Sequence, residues 1–204
     1  MTDSQPPLKL GVLISGSGTT LQNLVDRIGD GGLTGVRIAV VISSRQGVLG
    51  VQRARAAGLP VEFAVRRSFA DVAAFSHRIA ALLDQHGCDW AVQAGWLCYW
   101  RLPPRWLGRV LNIHPALLPE FGGKGLYGDH VHRAVLESGR RVSGATVHLV
   151  DNEYDHGPVV LQRSCPVLPD DTVESLRSRV AEIEREILPR AIDMARRGML
   201  SAIQ

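Results

Sequence analysis

Cysteine is scarce in this chain of 204 residues. Only Cys88, Cys98 and Cys165 occur, and no two of them show the CxxC spacing. An odd count without that spacing argues against a disulfide framework and against a thiolate metal site. The three residues are therefore expected to be free thiols in a reducing compartment.

Long apolar runs are also missing. None approaches the roughly 20 residues that a membrane-spanning helix needs. The N-terminal segment Met1–Lys9 is polar and contains two prolines, unlike the apolar centre of a signal peptide. We therefore expect a cytoplasmic protein without a membrane partner.

The chain has no strong excess of one charge. Lys and Arg number 23 against 20 Asp and Glu, and the formal net charge is +3. A nucleic-acid partner favours a basic stripe with interleaved aromatic residues, whereas the basic residues here are scattered. No nucleic-acid partner is expected, and a phosphorylated small molecule is compatible with the mild positive balance.

What the first half does contain is an alternation of β-branched apolar runs with segments of helical spacing. Strands that alternate with helices pair in parallel through right-handed crossovers. We therefore predict an α/β fold with a doubly wound, mostly parallel, Rossmann-like sheet, built as one domain over residues 1–204. The predicted strands are Leu8–Ser15, Val36–Ile42, Val61–Val65, Asp89–Ala94 and Arg109–His114, and the helices are Thr19–Ile28, Val48–Ala57 and Phe69–His86.

The second half is less regular and ends in a C-terminal helix. That helix is predicted to begin with Asp171 and Glu174, whose spacing suits an N-terminal capping box. Before it, the sequence predicts a Gly- and Pro-rich stretch, a short helix and two extended segments. In chain order these are Pro115–Gly128, Val131–Ser138, Ala145–Val150 and Val159–Arg163.

A glycine-rich loop follows the first predicted strand, where wound sheets bind ligands. It consists of Gly16, Ser17, Gly18, Thr19 and Thr20. Glycines let backbone amides approach an anion, and the N-terminus of the next helix adds unpaired N–H donors. The loop lacks the GxGxxG pattern and a P-loop lysine, so a plain tight turn with a Ser or Thr helix cap is the alternative to a phosphate site.

Asn112 and His114 end the fifth predicted strand. Residues two apart on a strand face the same side, and Pro115 ends the strand because it cannot donate to the ladder. An amide and an imidazole aimed at one point suit oxyanion stabilisation and proton transfer. The alternative is a strand-end histidine that is bonded to a backbone carbonyl.

Asp155 lies in the loop that follows the segment Gly144–Val150. If this carboxylate lies near His114, it will raise the pKa of the imidazole by stabilising its charged form, and it can order a water for proton transfer. The alternative is a turn-forming Asp ahead of Gly157 and Pro158.

The remaining histidines do not form a metal-site pattern. His130 and His132 lie at a predicted helix start, where residues two apart diverge, and no Cys or Glu joins them at a metal-site spacing. We expect no metal.

The tryptophans are expected in the core or in a pocket wall that would suit a flat aromatic ligand; they are Trp90, Trp96, Trp100 and Trp106.

In this order, the motifs resemble the glycinamide ribonucleotide transformylases of the folate-dependent formyltransferase family. The resemblance covers nearly the whole chain. Its most specific part is NIHPALLP at Asn112–Pro119, followed by G-x-T-V-H from Gly144 and D-x-G-P from Asp155. The other matching elements are Ile14–Gly18, Arg53–Gly58 and Ala94–Trp96, and the later match extends to Gln162.

The resemblance implies transfer of the formyl group of 10-formyltetrahydrofolate, a co-substrate, to the amine of glycinamide ribonucleotide in purine synthesis. It implies a phosphate-binding half over residues 1–100 and a catalytic, folate-binding half over 101–204. Asn112, His114 and Asp155 match catalytic residues, and Gly16–Thr20, Pro115 and Glu184 match substrate-binding ones. Positions matching the folate pocket are Leu97, Cys98, Tyr99, Trp100, Val150, Asp151, Asn152, Glu153 and Tyr154, and His130 and His148 match histidines close to the active site.

The chain departs from the family at Thr20, where many members have Asn, at Cys98, where one has Arg, and at Phe121–Gly128, which resembles an inserted glycine-rich loop. Hydrolysis of formyltetrahydrofolate and transfer to another amine remain alternatives. We expect neither the C-terminal domain of methionyl-tRNA formyltransferases nor the N-terminal regulatory domain of the hydrolases. A non-catalytic nucleotide-binding module would explain the sheet but not the three polar residues together. A monomer or a homodimer is compatible with the sequence.

Overall fold

Apolar runs and amphipathic segments become strands and helices in the predicted order. The computed structural model describes residues 6–200, so Met1–Gln5 of the polar N-terminal segment lie outside the described residues. In chain order the elements are β1 (Leu8–Ile14), α1 (Thr19–Gly29), β2 (Val36–Ser43), α2 (Leu49–Ala56), β3 (Val61–Phe63), α3 (Val72–Gln85), β4 (Trp90–Gln93), β5 (Val110–His114), α4 (Asp129–Glu137), β6 (Val142–Leu149), β7 (Val159–Pro166) and α5 (Val173–Arg196).

The strands form a seven-stranded sheet in the order β3-β2-β1-β4-β5-β6-β7. Strand β1 pairs in parallel with β2 and β4, and β2 pairs in parallel with β3. Strand β7 runs antiparallel to β6 at one edge. The predicted α/β fold with a mostly parallel sheet and a C-terminal helix is confirmed.

The chain divides into two compact units. One contains residues up to Leu111 and from Ile192 onward, and the other is Asn112–Ala191. In the first unit, strand order reverses between β1 and β4, which makes their carboxyl ends the expected ligand-binding edge. Ser15 ties this edge together, because its Oγ accepts hydrogen bonds from Ser44 Oγ at 2.7 Å and from the Leu97 amide at 2.9 Å.

In the second unit, Thr146 of β6 anchors the segment that follows β5. Its Oγ1 donates to the Ala116 carbonyl at 2.6 Å and accepts from the Leu118 amide at 3.1 Å. Gln162 of β7 donates to both Thr146 Oγ1 and the Leu118 carbonyl at 2.9 Å. These buried hydrogen bonds hold the chain directly after Asn112 and His114, and so stabilise the position of the strand end.

Four helix starts differ from the prediction: α2 begins one residue later, α4 begins two residues earlier, and α3 and α5 differ because of their caps. Helix α3 begins at Val72 rather than Phe69, because Asp71 caps it through a hydrogen bond from the Ala74 amide to Oδ1 at 2.7 Å. The predicted capping box of Asp171 and Glu174 is wrong, since the reciprocal pair is Thr172 and Ser175, one residue further on.

Asp171 has a different role from capping. Its carboxylate binds Arg179 through two hydrogen bonds of 2.6 and 2.8 Å and accepts the Leu168 amide at 2.8 Å. This bidentate pair ties the first turns of α5 to the preceding loop.

Among residues 6–200, no helix has the length and apolar character to cross a bilayer.

Candidate active site

Three polar side chains from two distant segments meet in the second unit. Asn112 and His114 lie at the end of β5, and Asp155 lies in the loop after β6. Asp155 Oδ1 lies 3.3 Å from Asn112 Nδ2 and 3.5 Å from His114 Nδ1. The side chains of His114 and Asp155 are only 4% and 12% exposed, so their interaction is weakly screened by solvent.

His148 of β6 joins this cluster, which we call the β5–β6 polar cluster (Asn112, His114, His148 and Asp155). Its Nδ1 donates to the Leu149 carbonyl at 3.0 Å, which leaves Nε2 as an acceptor for Asn112 Nδ2 at 3.0 Å. The reverse orientation of the Asn112 amide would place its oxygen against the Asp155 carboxylate. His148 and Asp155 therefore fix the direction in which the amide points.

Main-chain groups hold the other sides of His114 and Asp155. His114 Nε2 donates to the Phe121 carbonyl at 2.8 Å, and the Gly123 amide donates to Asp155 Oδ2 at 3.0 Å. Because Nε2 carries the hydrogen of the neutral ring, Nδ1 is the nitrogen of His114 that gains or loses a proton. The sequence left open that His114 is only a strand-end histidine bonded to a backbone carbonyl. That bond exists at Nε2, but the other ring nitrogen, Nδ1, faces Asp155.

Burial decides the charge of His114. Burial lowers the pKa of His114 below its ordinary value, although Asp155 and the Phe121 carbonyl act in the opposite direction. Burial alone would raise the pKa of Asp155, but the neighbouring His114 and the hydrogen bond from the Gly123 amide act in the opposite direction, and the pKa is lowered. The sequence-based expectation that Asp155 raises the pKa of His114 thus gives the correct direction for one contribution and the wrong direction for the net shift.

Asp155 itself has an unusual backbone conformation. Its φ is 52°, in the left-handed region that residues with a side chain seldom adopt. Such strain persists where surrounding contacts over-determine the conformation, and it is common at functional sites. A plain turn-forming Asp before Gly-Pro would not need the contacts that this carboxylate makes with Asn112, His114 and the Gly123 amide.

The glycine-rich loop lies in the first unit, between β1 and α1. The residue before α1 is Gly18, whose φ is 72°, and no side chain caps the helix, so the alternative of a Ser or Thr cap is wrong. The start of α2 packs against this loop: the Gly50 amide donates to the Gly16 carbonyl at 3.1 Å, and a Cβ on Gly18 would lie 2.5 Å from Gly50 Cα. Arg53 donates from Nε to the Ser17 carbonyl at 3.1 Å. Two helix N-termini and a guanidinium thus surround the loop, an arrangement that favours an anion.

Comparison with known proteins identifies the family of this chain. A family model described as Formyl transferase matches residues 8–192. The chain belongs to the formyl transferase family. The matched residues include both the glycine-rich loop and the β5–β6 polar cluster.

Relatives in this family carry related names. The trifunctional purine biosynthetic protein adenosine-3 of Drosophila melanogaster is 37% identical over 199 residues, and the chloroplastic phosphoribosylglycinamide formyltransferase of Arabidopsis thaliana is 39% identical over 186 residues. These alignments cover 96% and 88% of this chain, but the chain spans only 14% and 62% of the relatives' own lengths. The crystal structure of glycinamide ribonucleotide transformylase 1 from Symbiobacterium toebii superposes with a TM-score of 0.88 at 40% identity, over 94% of this chain and 89% of that one.

The other residues that the family resemblance singled out are distributed over both units. Leu97–Trp100 follow β4 in the first unit, where Leu97 is exposed and Trp100 is buried. Val150 is buried at the end of β6, and residues 151–154 continue its loop in the second unit, with Asp151 bonded to His156 at 2.8 Å. Pro115 follows β5, and His130 is exposed on α4 with its ring against Tyr127. No group of three or more potential metal ligands occurs within residues 6–200.

Neither the contact of Arg53 with the glycine-rich loop nor the two main-chain partners in the second unit follow from the sequence pattern. The Phe121 carbonyl and the Gly123 amide contribute no side chain, so residue type carries no signal of their role. The contact of Arg53 with Ser17 depends on how α2 packs against α1, which the matching segment Arg53–Gly58 does not reveal.

Glu184 lies on α5, and its raised pKa makes its charge change near neutral pH. Burial raises its pKa from 4.5 to about 7, opposed by Arg185. A carboxyl group whose pKa is raised in the folded state binds its proton more tightly there. Its effect on stability is therefore absent at pH 4 and grows more unfavourable as pH rises towards 8.

We expect Glu184→Gln to increase the free energy of unfolding by about 2 kcal/mol at pH 8 and to leave it unchanged at pH 4, because Gln carries no charge to bury. Urea denaturation at the two pH values measures the difference. Glu182→Gln on the exposed face of the same helix is the control, with no pH-dependent gain expected. An equal effect of Glu184→Gln at both pH values would contradict the assignment.

Proposed function

We propose that this chain transfers the formyl group of 10-formyltetrahydrofolate to the amine of glycinamide ribonucleotide, a step of de novo purine synthesis. One observation carries the proposal: in a formyl transferase, an amide, an imidazole and a carboxylate meet at Asp155 Oδ1. The names of the relatives support the choice of acceptor.

Asn112 and His114 are proposed to stabilise negative charge on the formyl oxygen while the amine adds to the formyl carbon. Both hydrogens of the Asn112 amide have acceptors, His148 and Asp155, so the substrate oxygen would take the place of one of them. Charge that develops on that oxygen raises the proton affinity of His114 Nδ1, because an anion stabilises the imidazolium. Because Nδ1 of neutral His114 has no hydrogen, it first takes up the proton released by the attacking amine and then donates a hydrogen bond to the charged oxygen, before that proton passes on to the folate nitrogen.

Asp155 is proposed to hold both donors and to order the water that relays a proton from the attacking amine to the departing folate nitrogen. Its depressed pKa keeps it ionised at neutral pH. This makes it a lasting partner for the imidazolium that forms during the reaction.

Residues 1–204 are proposed to form a single domain with two halves. Residues 1–100 are proposed to bind the substrate phosphate, and residues 101–204 to carry the catalytic and folate-binding groups. The phosphate is proposed to bind to Gly16–Thr20, supported by the two adjacent helix N-termini, with Pro115 and Glu184 beside the rest of the ribonucleotide. Residues 97–100 and 150–154 are proposed to contact the folate, with His130 and His148 close to the reacting groups. The choice of 10-formyltetrahydrofolate as the formyl donor is based on membership of the formyl transferase family. No metal is proposed.

The cellular location and the oligomeric state are also part of the proposal. A cytoplasmic location is proposed, while the Arabidopsis relative is named chloroplastic. A monomer or homodimer that binds only small molecules rests on the lack of a basic stripe.

The decisive test measures tetrahydrofolate release from 10-formyltetrahydrofolate with and without glycinamide ribonucleotide. Product that depends on the ribonucleotide, with formylglycinamide ribonucleotide formed in equal amount, is the expected result. Equal product without the acceptor would instead establish a hydrolase, and product only with a different amine would replace the proposed acceptor.

A further inference from the structure

The turn Phe121-Gly122-Gly123 contacts two members of the β5–β6 polar cluster through its main chain alone. The Phe121 carbonyl accepts the hydrogen of His114 Nε2 at 2.8 Å, and the Gly123 amide donates to Asp155 Oδ2 at 3.0 Å. These contacts lie on the outer side of each group, opposite the pair formed by His114 Nδ1 and Asp155 Oδ1. The turn therefore determines which atoms of His114 and Asp155 remain directed at each other.

Gly122 allows this approach because it has no side chain. A Cβ at position 122 would lie 2.6 Å from Leu118 Cδ2 and 3.1 Å from Asp155 Cβ. The Leu118 methyl group is the far end of a flexible side chain and can rotate away. Asp155 Cβ cannot do so, since it is bonded to a backbone held at a φ of 52°. The contact with Asp155 is therefore the one that a larger residue would disturb.

The backbone on either side of Gly122 is also constrained. Phe121 has a φ of 56°, in the left-handed region, and Gly123 has a φ of 104°. Gly122 itself lies outside that region. A side chain at position 122 thus changes the available space without adding left-handed strain, which separates packing from backbone conformation in an experiment.

We propose that Phe121-Gly122-Gly123 is a positioning element for the formyl-transfer step: Gly122 lets the turn approach Asp155, so that the Phe121 carbonyl selects the Nε2–H tautomer of His114 and the Gly123 amide orients the Asp155 carboxylate. This inference rests on the proposed function for its kinetic consequence but not for its structural one. The turn aligns the donors while leaving substrate binding to other residues, so its loss affects kcat more than KM.

The test is Gly122→Ala, measured in the whole chain by kinetics and by NMR. A displacement of the pair by a fraction of an ångström is expected to lower kcat by about tenfold or more, since misplacing catalytic groups by 1 Å can cost about a hundredfold. KM for glycinamide ribonucleotide should stay within about twofold, because binding contacts lie elsewhere. In ¹⁵N-labelled protein at pH 8, the Gly123 amide proton should lose the downfield shift of a bond to a carboxylate, and the His114 nitrogens should leave the Nε2–H pattern.

Two further variants separate the contact with Asp155 from other causes. Gly125→Ala, in the same loop, adds left-handed strain at a φ of 94° but meets nothing within 4 Å, so kcat is expected to remain within about threefold of wild type. Leu118→Ala/Gly122→Ala removes the contact with Leu118 and retains the one with Asp155. It should reproduce the loss of Gly122→Ala, and it provides the measurement if Gly122→Ala fails to fold.

Three results would overturn the inference. They are an unchanged kcat in the double variant, an equal loss in Gly125→Ala, and a Gly123 amide signal that is identical in wild type and Gly122→Ala. If the wild-type chain transfers no formyl group, the proposed function fails, while the NMR comparison still decides whether the turn holds His114 and Asp155.

Discussion

Replacing Asp155 by Asn is expected to lower kcat by about a thousandfold, which is the upper range for loss of one charge-stabilising group. The change preserves the size of the side chain, but one carboxylate oxygen becomes an NH2 group. That group must face either the Gly123 amide or the donors of Asn112, and both of these positions require an acceptor. The variant also removes the negative charge that opposes the burial-induced fall in the pKa of His114, so the imidazole accepts a proton less readily.

His114→Ala is expected to lower kcat to a similar extent, because it removes both the nitrogen Nδ1 that takes up a proton during the reaction and the bond to the Phe121 carbonyl. Steady-state formyl transfer with saturating substrates measures both losses. Since residues that act as a unit are not additive, the double variant should be little worse than either single one.

The controls for these variants test folding and charge. Asp84→Asn breaks only an exposed pair with Arg105 and is expected to keep full activity. Circular dichroism should give wild-type spectra for Asp155→Asn and His114→Ala. Turnover within tenfold of wild type for either variant would remove the roles assigned to Asp155 and His114.

Gly144→Ala is expected to lower the free energy of unfolding by about 3 kcal/mol or more, the upper range for overpacking a buried site. Gly144 pairs with Ser164 across β6 and β7. A Cβ there would collide with the Arg163 carbonyl and would lie 2.9 Å from Ser164 Cα and 2.7 Å from Leu117 Cδ2. Because two of these are backbone atoms of the neighbouring strand, the clash can be relieved only by moving β7.

Urea denaturation followed by fluorescence measures this loss. Gly29→Ala, the matched control at the end of α1, meets nothing within 4 Å and has no left-handed φ. It should leave stability unchanged or raise it by about 0.5 kcal/mol, since Ala restricts the unfolded chain. A loss below about 1 kcal/mol for Gly144→Ala would mean that the two strands separate at little cost.

Much of the fold could be predicted because its signals are local. The apolar run before Gly16 and the helical spacing after Thr19 each span a few residues, and both become the expected elements, β1 and α1. The first residue of a helix is harder to predict, because several neighbouring polar residues can each act as the capping residue. At α5, Asp171 binds Arg179, eight residues later, and Thr172 takes the capping role instead.

The candidate site was predictable in its residues and less so in its charges. Asn112 and His114 face one way because strand residues alternate, and this follows from their spacing alone. The pKa of His114 depends on how deeply the ring is buried, a quantity to which every neighbouring segment contributes. Its net direction therefore could not be read from the presence of a carboxylate.

The sequence by itself determined the alternation of strands and helices, the glycine-rich loop after the first strand and the pairing of an amide with an imidazole on one strand face. These depend on periodicity and residue type, which short stretches of chain contain in full. Only the tertiary structure decided that Asp155 meets that pair, that His148 orients the amide, and that two main-chain groups near Gly122 hold the outer sides of His114 and Asp155. Those contacts join segments up to 43 residues apart, and the path of the intervening chain depends on the packing of the whole unit.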